Sequence, residues 1–162
     1  VDDFIFRVDD RLIHGQVTAG WVRPLGIERI VLVNNEVAAD EWERESYSLA
    51  VPAGVKTVIL SVTEGIEFLK NTNDKKKTMV VVASLKDTVE LIVGGIMIKK
   101  IHVGGLHFET GRRCIAPYIC FNGTDGEFLK KIVDRGIKIE GREIPGGPSL
   151  DVWTLFERTQ AG

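Results

Sequence analysis

The sequence predicts an α/β fold, a three-layer α/β/α arrangement around an open, mostly parallel, twisted sheet of about six to seven strands. Three observations predict it. Apolar runs of strand length recur along the chain, and most are separated by stretches with helical apolar spacing, such as Phe128, Leu129, Ile132 and Val133. Turn and cap residues fall at the same boundaries as the change of period. With 162 residues the chain has the usual size of one domain, expected to span 1–162 with 145–162 as a C-terminal arm or helix.

Taken in order, 4–8 reads as the first strand and 16–23 as a helix that Pro24 stops. Strand 29–33 follows, then helix 39–50, strand 56–60 and helix 63–70, for which Thr63 can serve as cap. Strand 78–82 leads to helix 86–93, ended by Gly94-Gly95. Strands are expected at 100–103 and 115–121. Thr124-Asp125 opens helix 126–134, Gly136 closes it, and 136–140 is the last strand. Pro145-Gly146-Gly147-Pro148 interrupts before 149–158, where Val152, Trp153, Leu155 and Phe156 suggest a short amphipathic helix or an arm. Trp21 and Trp42 lie in helical segments and read as packing anchors.

Charge and composition narrow the function. The formal net charge is -2, so there is no basic field of the kind that holds nucleic acid. No apolar stretch approaches the roughly 20 residues needed to cross a bilayer, and the N-terminus lacks a signal-peptide pattern. A membrane role is therefore expected to come through a partner. Cys114 and Cys120 are too far apart for a CxxC motif, and reduced thiols in a cytoplasmic protein are expected.

In an open parallel sheet, ligands bind beyond the C-terminal ends of the strands. His14 lies there, after the first strand, in Arg7-Val8-Asp9-Asp10-Arg11-Leu12-Ile13-His14-Gly15-Gln16-Val17. This pattern suits phosphate transfer. Imidazole with its ordinary pKa of about 6.5 is a good nucleophile near neutrality, and a helix N-terminus and an arginine fork can hold the phosphoryl charge. Arg11 is close enough to reach the same phosphate, and Gly15 leaves the approach open. Asp10 is expected to orient the imidazole or to position Arg11, with Asp9 capping or facing solvent. No metal or other cofactor is required, because the arginine and the helix start can supply the electrostatic stabilisation. Neither GxGxxG nor GxxxxGK[ST] occupies the first strand-helix junction, which argues against a nucleotide-binding module.

The string Asp9-Asp10-Arg11-Leu12-Ile13-His14-Gly15-Gln16-Val17 closely resembles the active-site signature of the IIB components of the mannose/fructose/sorbose phosphotransferase family. The resemblance continues at Gly20-Trp21, along 30–38 and 52–56, at Ile101-His102-Val103-Gly104-Gly105-Leu106, at Glu109-Thr110-Gly111-Arg112, and along 136–140. It implies that a IIA component phosphorylates His14 on Nδ1 and that His14 passes the group to a sugar bound by membrane IIC and IID components. The protein would then be cytoplasmic and recruited to the inner face of the membrane through IIC/IID. Arg11, Gly15 and Gln16 would hold the phosphate. Gly104 and Gly105 would shape the rim of the site or form a tight turn. His107 is either a second imidazole or a rim histidine without a catalytic role, and Arg112 and Arg113 add positive charge there or face solvent. A homo-oligomer is compatible with the resemblance. A regulatory phosphoprotein using the same acceptor chemistry is the alternative output. Ser61, Thr63 and Ser84 are further candidates to line the crevice, and His102 reads as structural.

Overall fold

A computed structural model of the chain describes residues 3–161; Val1, Asp2 and Gly162, the ends of the expected 1–162 domain, lie outside the described residues. In chain order the strands are β1 (Phe4–Asp9), β2 (Arg29–Val33), β3 (Lys56–Leu60), β4 (Thr78–Val82), β5 (Lys100–Gly105), β6 (Arg113–Ala116), β7 (Ile119–Phe121), β8 (Lys138–Gly141) and β9 (Leu150–Asp151). Seven of them form one sheet in the order β3-β2-β4-β1-β5-β8-β9, parallel except for β9. This is the three-layer, mostly parallel architecture that the alternating pattern predicts.

The helices are α1 (Gly15–Val17) and α2 (Arg23–Leu25), joined through a π-helical turn at Thr18–Val22, then α3 (Asn35–Ala39), α4 (Glu41–Ala50), α5 (Val62–Asn71), α6 (Leu85–Val93), α7 (Gly123–Val133) and α8 (Val152–Ala161). Strand alternation sorts the core into two layers. Ile30, Leu32, Met79 and Val81 face Val17, Trp21, Val22 and Val37. Phe6, Val8, Val31, Val33, Val80, Val82, Ile101 and Val103 face the other way, against residues of α5, α6, α7 and α8.

Right-handed crossovers decide which face each helix covers. The steps from β1 out to β2 and β3 place α1 to α4 on one face, and the steps back through β4 to β5 and β8 place α5 to α7 on the other. The connection leaving β1 goes to one face and those leaving its neighbours β4 and β5 go to the other, and the crevice beyond the C-terminal end of β1 holds the loop that carries His14. On the α1 side, β5 and β8 receive no crossover helix. There the sheet presents His102 and Glu140, with Trp21 packed against His102 at a ring-centroid separation of 5.0 Å.

Several local expectations are corrected. Pro24 does not stop the first helix; the helical backbone runs through it from the π-helical turn into α2, and the left-handed Gly26 ends the helix. The segment 39–50 is not continuous, because extended Asp40 closes α3 and caps α4, its side chain accepting from Glu43 N. Trp42 is no packing anchor, being 78% exposed on α4, whereas Trp21 is buried. Ser61, not Thr63, caps α5, in a reciprocal capping box with Glu64. The run 115–121 is a β6–β7 hairpin, not one strand.

That hairpin also corrects the reading of the cysteines. Cys114 and Cys120 stand opposite each other across it and are joined as a disulfide. A separation of six residues brings two cysteines together only when a reversal lies between them. The C-terminal segment pairs β9 antiparallel with β8, and α8 buries Val152 in the larger core cluster, with Trp153 and Phe156 packed against it.

Candidate active site

Successive residues of a strand point to opposite faces, so Arg7 and Asp9 share the α1 side of the sheet while Phe6 and Val8 enter the opposite core layer. Pairing with β5 slips at this point: Val8 stands opposite Val103, but Asp9 stands opposite Gly105. The resulting bulge ends the regular strand beside the site. The chain then turns sharply. Leu12 N donates to Asp9 O at 2.9 Å, and Leu12 has a φ of 58°, the one non-glycine residue with positive φ among the described residues. That conformation costs an L-residue roughly 1–2 kcal/mol, a cost opposed by burial of the Leu12 side chain in the smaller core cluster. The turn sets His14, in extended conformation, as the N-cap of α1, with Thr18 N donating to its carbonyl at 3.0 Å.

The carboxylate that holds the His14 ring belongs to Asp9. His14 Nε2 lies 2.7 Å from Asp9 Oδ2, and the same oxygen accepts from Arg7 Nη2 at 3.1 Å. Asp9 Oδ1 accepts from Arg11 N at 3.1 Å, and Arg11 Nε lies 3.5 Å from it. Burial pushes the Asp9 carboxyl up, but the hydrogen bond with His14 and the Arg7 charge outweigh it and hold the group below its usual value. Arg7 is wholly buried. Its Nη1 donates to Arg142 O at 3.2 Å, and its guanidinium lies 5.0 Å from the centre of the Trp21 ring.

Asp10 holds a different histidine. Its Oδ1 is 2.6 Å from His107 Nδ1, its Oδ2 accepts from His107 N at 2.7 Å, and Arg112 Nη1 donates to the His107 carbonyl at 2.8 Å. The expected roles of the two acids are therefore exchanged. Asp10 does not orient the His14 imidazole but ties down the loop after β5, and Asp9, expected to cap or face solvent, is buried under His14. At the end of β1 Asp9 keeps the α1-side direction of Arg7 while Asp10 turns toward the end of β5, its N donating to Gly105 O at 2.9 Å, so two adjacent carboxylates meet different elements.

The other expected site residues are placed as follows. Arg11 has a half-exposed side chain whose Nη groups have no acceptor among the described residues. A Cβ at Gly15 would meet nothing within 4 Å, so the helix start is open. Gln16 turns its Oε1 toward Arg7 Nη2 at 3.4 Å instead of standing free toward an anion. Gly104 and Gly105 form neither a rim nor a tight turn. They end β5 and are buried, a Cβ at Gly104 would fall on the Arg7 guanidinium, and one at Gly105 would come within 2.7 Å of His107 Cε1 and 3.0 Å of Asp9 Oδ1. Arg112 braces the loop through His107 and Glu109, and Arg113 donates to Thr159 O. Ser61 and Ser84 use their hydroxyls as helix caps. Arg7 is the residue that sequence reasoning passed over. Its signal was available in the strand period, which puts residues two before a site residue on the same face.

No helix among the described residues is long and apolar enough to cross a membrane. Residues 4–161 match the family described as the PTS system sorbose subfamily IIB component. The chain is 31% identical over 147 residues to the sorbose-specific EIIB component of Lacticaseibacillus casei, covering 90% of each. It is 32% identical over 146 residues to the fructose-specific EIIB component of Bacillus subtilis strain 168, again covering 90% of each. The mannose-specific EIIAB component of Escherichia coli strain K12 is 31% identical over 153 residues, which make up 94% of this chain and 47% of that longer protein. Among solved structures, a phosphoenolpyruvate-dependent phosphotransferase system protein superposes with a TM-score of 0.87 at 29% identity, covering 95% of this chain and 96% of that one. The IIBSor domain of the sorbose permease from Klebsiella pneumoniae shares the fold with a TM-score of 0.89 at 24% identity, covering 96% of each.

Proposed function

The chain belongs to the sorbose subfamily of phosphotransferase-system IIB components, phosphocarriers in sugar phosphotransfer, and on that premise we propose that Nδ1 of His14 is the atom that carries the phosphoryl group. The observation that supports this reading is the grip of Asp9 on Nε2 at 2.7 Å, which occupies one ring nitrogen and leaves the lone pair of the other for the reaction. In the first half-reaction Nδ1 attacks phosphorus, an N–P bond forms, and the N–P bond of the donor phosphohistidine on a IIA component breaks. With Nε2 still protonated, the phosphorylated ring is cationic, and the Asp9 carboxylate lies where it neutralises that charge. In the second half-reaction a sugar hydroxyl held by membrane IIC/IID components forms an O–P bond, its proton is released to water, and the ring departs as neutral imidazole. Phosphoryl transfer of this kind depends chiefly on positioning and charge stabilisation. Arg11, with its free fork, and the open N–H groups at Gly15 and Gln16 supply donors for the phosphoryl oxygens.

Around this centre Phe108 and Ile144 are exposed apolar side chains on the two loops tied to Asp10 and Arg7. They suit brief docking with a donor and with a membrane acceptor, which would bring the chain to the inner face of the membrane. The test uses the purified chain with phosphoenolpyruvate, the two general carriers and a matching IIA component. Acid-labile label is expected on the unaltered chain and none on His14→Gln; equal labelling of the variant would remove His14 from the reaction.

A further inference from the structure

Asp9 Oδ2 is shared. It receives Arg7 Nη2 at 3.1 Å and lies 2.7 Å from His14 Nε2, while both Arg7 and Asp9 are completely buried. Given the reading of His14 above, on which this inference rests, we propose that Arg7 is a positioning residue that keeps Nδ1 of His14 free of a proton. It does so in two ways. Its charge, together with the hydrogen bond to His14, offsets the burial that pushes the Asp9 carboxyl up, so that Asp9 stays a carboxylate, accepts from Nε2–H and fixes the proton on that nitrogen. The same charge opposes a second proton on the ring.

The fold is built to keep the guanidinium in this position. Nη1 is fixed by the carbonyls of Arg142 and Glu143, Trp21 covers the guanidinium from one side, and Gly104 leaves the room that any Cβ would fill. Trp21 is itself anchored to the same loop, its Nε1 donating to Glu143 O at 2.6 Å. Gln16 adds a weaker acceptor at 3.4 Å. The charged and titratable groups around the pair are Arg11, which also meets Asp9, the Asp10–His107 pair across the β5 bulge, Glu143 beside Arg7, His102 opposite Arg7 on β5, and Tyr118 and Arg142 from the neighbouring loops.

Loss of Arg7 has one consequence by two routes. A protonated Asp9 would donate to Nε2 and drive the ring proton to Nδ1, and an ionised Asp9 without its arginine would draw a second proton onto the imidazole. Both place a proton where phosphorus must be attacked. Arg7→Met is therefore expected to slow phosphorylation of His14 by about tenfold or more near neutrality and to move the acid limb of the pH–rate profile to higher pH. Arg7→Lys, which keeps the charge, restores much of both. Gly104→Ala, which pushes the guanidinium off Asp9 without removing it, shifts them in the same direction as Arg7→Met.

The decisive readout is the protonation state of the His14 ring nitrogens, followed by ¹⁵N NMR across pH in the full chain. The unaltered protein is expected to show Nε2–H with a bare Nδ1 near neutral pH; a proton on Nδ1 there overturns the proposal without any variant. It is equally overturned if folded Arg7→Met retains the original tautomer and pH profile, or, should Arg7→Met not fold, if Gly104→Ala retains them. Labelling of the unaltered chain by IIA is scored separately, so a failure of His14 as acceptor is not mistaken for a failure of Arg7.

Discussion

A carboxylate removed from water stays charged only where its neighbours replace the lost solvation. Asp9 meets that condition through His14, Arg7 and the Arg11 N–H, whereas Asp10, one residue on, remains partly exposed and serves His107. Replacing each acid by its amide separates their roles. Asp9→Asn is expected to slow phosphorylation of His14 by about a hundredfold, because the amide carries no charge to neutralise the phosphorylated ring or to balance Arg7. Asp10→Asn is expected to slow it far less, since His14 keeps its partner. Single-turnover labelling rates for the two variants check this, and similar losses in both would contradict it. The proposed acceptor was legible in the sequence, because a histidine between an arginine and a helix-opening glycine has a recognisable chemistry. Which aspartate faces it was not, because the bulge in β5 that sets Gly105 opposite Asp9 depends on how β1 meets β5.

At the scale of elements, the strands at 29–33 and 78–82 coincide with the apolar runs, because a strand buried on both faces writes its limits directly into composition; the edge strand at 56–60 matches its run as well, though it is only partly buried. Caps were less legible, as Ser61 and Asp40 show, since several hydroxyl or carboxylate residues near a boundary can serve and packing chooses one. Helix α7 offers a test in which packing opposes propensity. Alanine in place of a helical glycine ordinarily gains about 1 kcal/mol. At Gly126, however, a Cβ would come within 2.6 Å of Phe156 Cζ, on a ring also packed against Phe121 and Trp153. Gly126→Ala is therefore expected to destabilise the protein by roughly 1–3 kcal/mol, measured as a lower urea midpoint at unchanged m-value; a higher midpoint would mean that α8 yields at no cost.

Across the whole molecule, the α1 side of β5 and β8 is closed by polar and aromatic groups in place of a helix. Burial pushes His102 down to about 4, against the opposing charge of Glu140, and Glu140 also pairs with Lys100, Lys138 and Arg142. Because the folded value is depressed, the unfolded chain binds the extra proton first. The stability associated with neutral His102 is fully present above the ordinary value of about 6.5 and is lost as pH falls toward 4. That loss is expected to reach at most about 3 kcal/mol over the window, less the share that solvent screening removes at this partly exposed ring. Urea unfolding at successive pH values should show the decline between these limits, and His102→Gln should flatten it. An unchanged slope in the variant would assign the decline to other groups.

By itself the sequence determined the layered α/β class, most of the strands, and the histidine whose surroundings suit phosphoryl transfer, because these depend on periodicity and on residues adjacent in the chain. Only the tertiary structure decided that Asp9 and not Asp10 lies under His14, that Arg7 shares its carboxylate, that Gly104 leaves room for a guanidinium, and that Cys114 meets Cys120 across a hairpin. Each of these is a contact between segments whose approach is set by crossover direction, bulge and turn, and such contacts have no local period for a sequence to display.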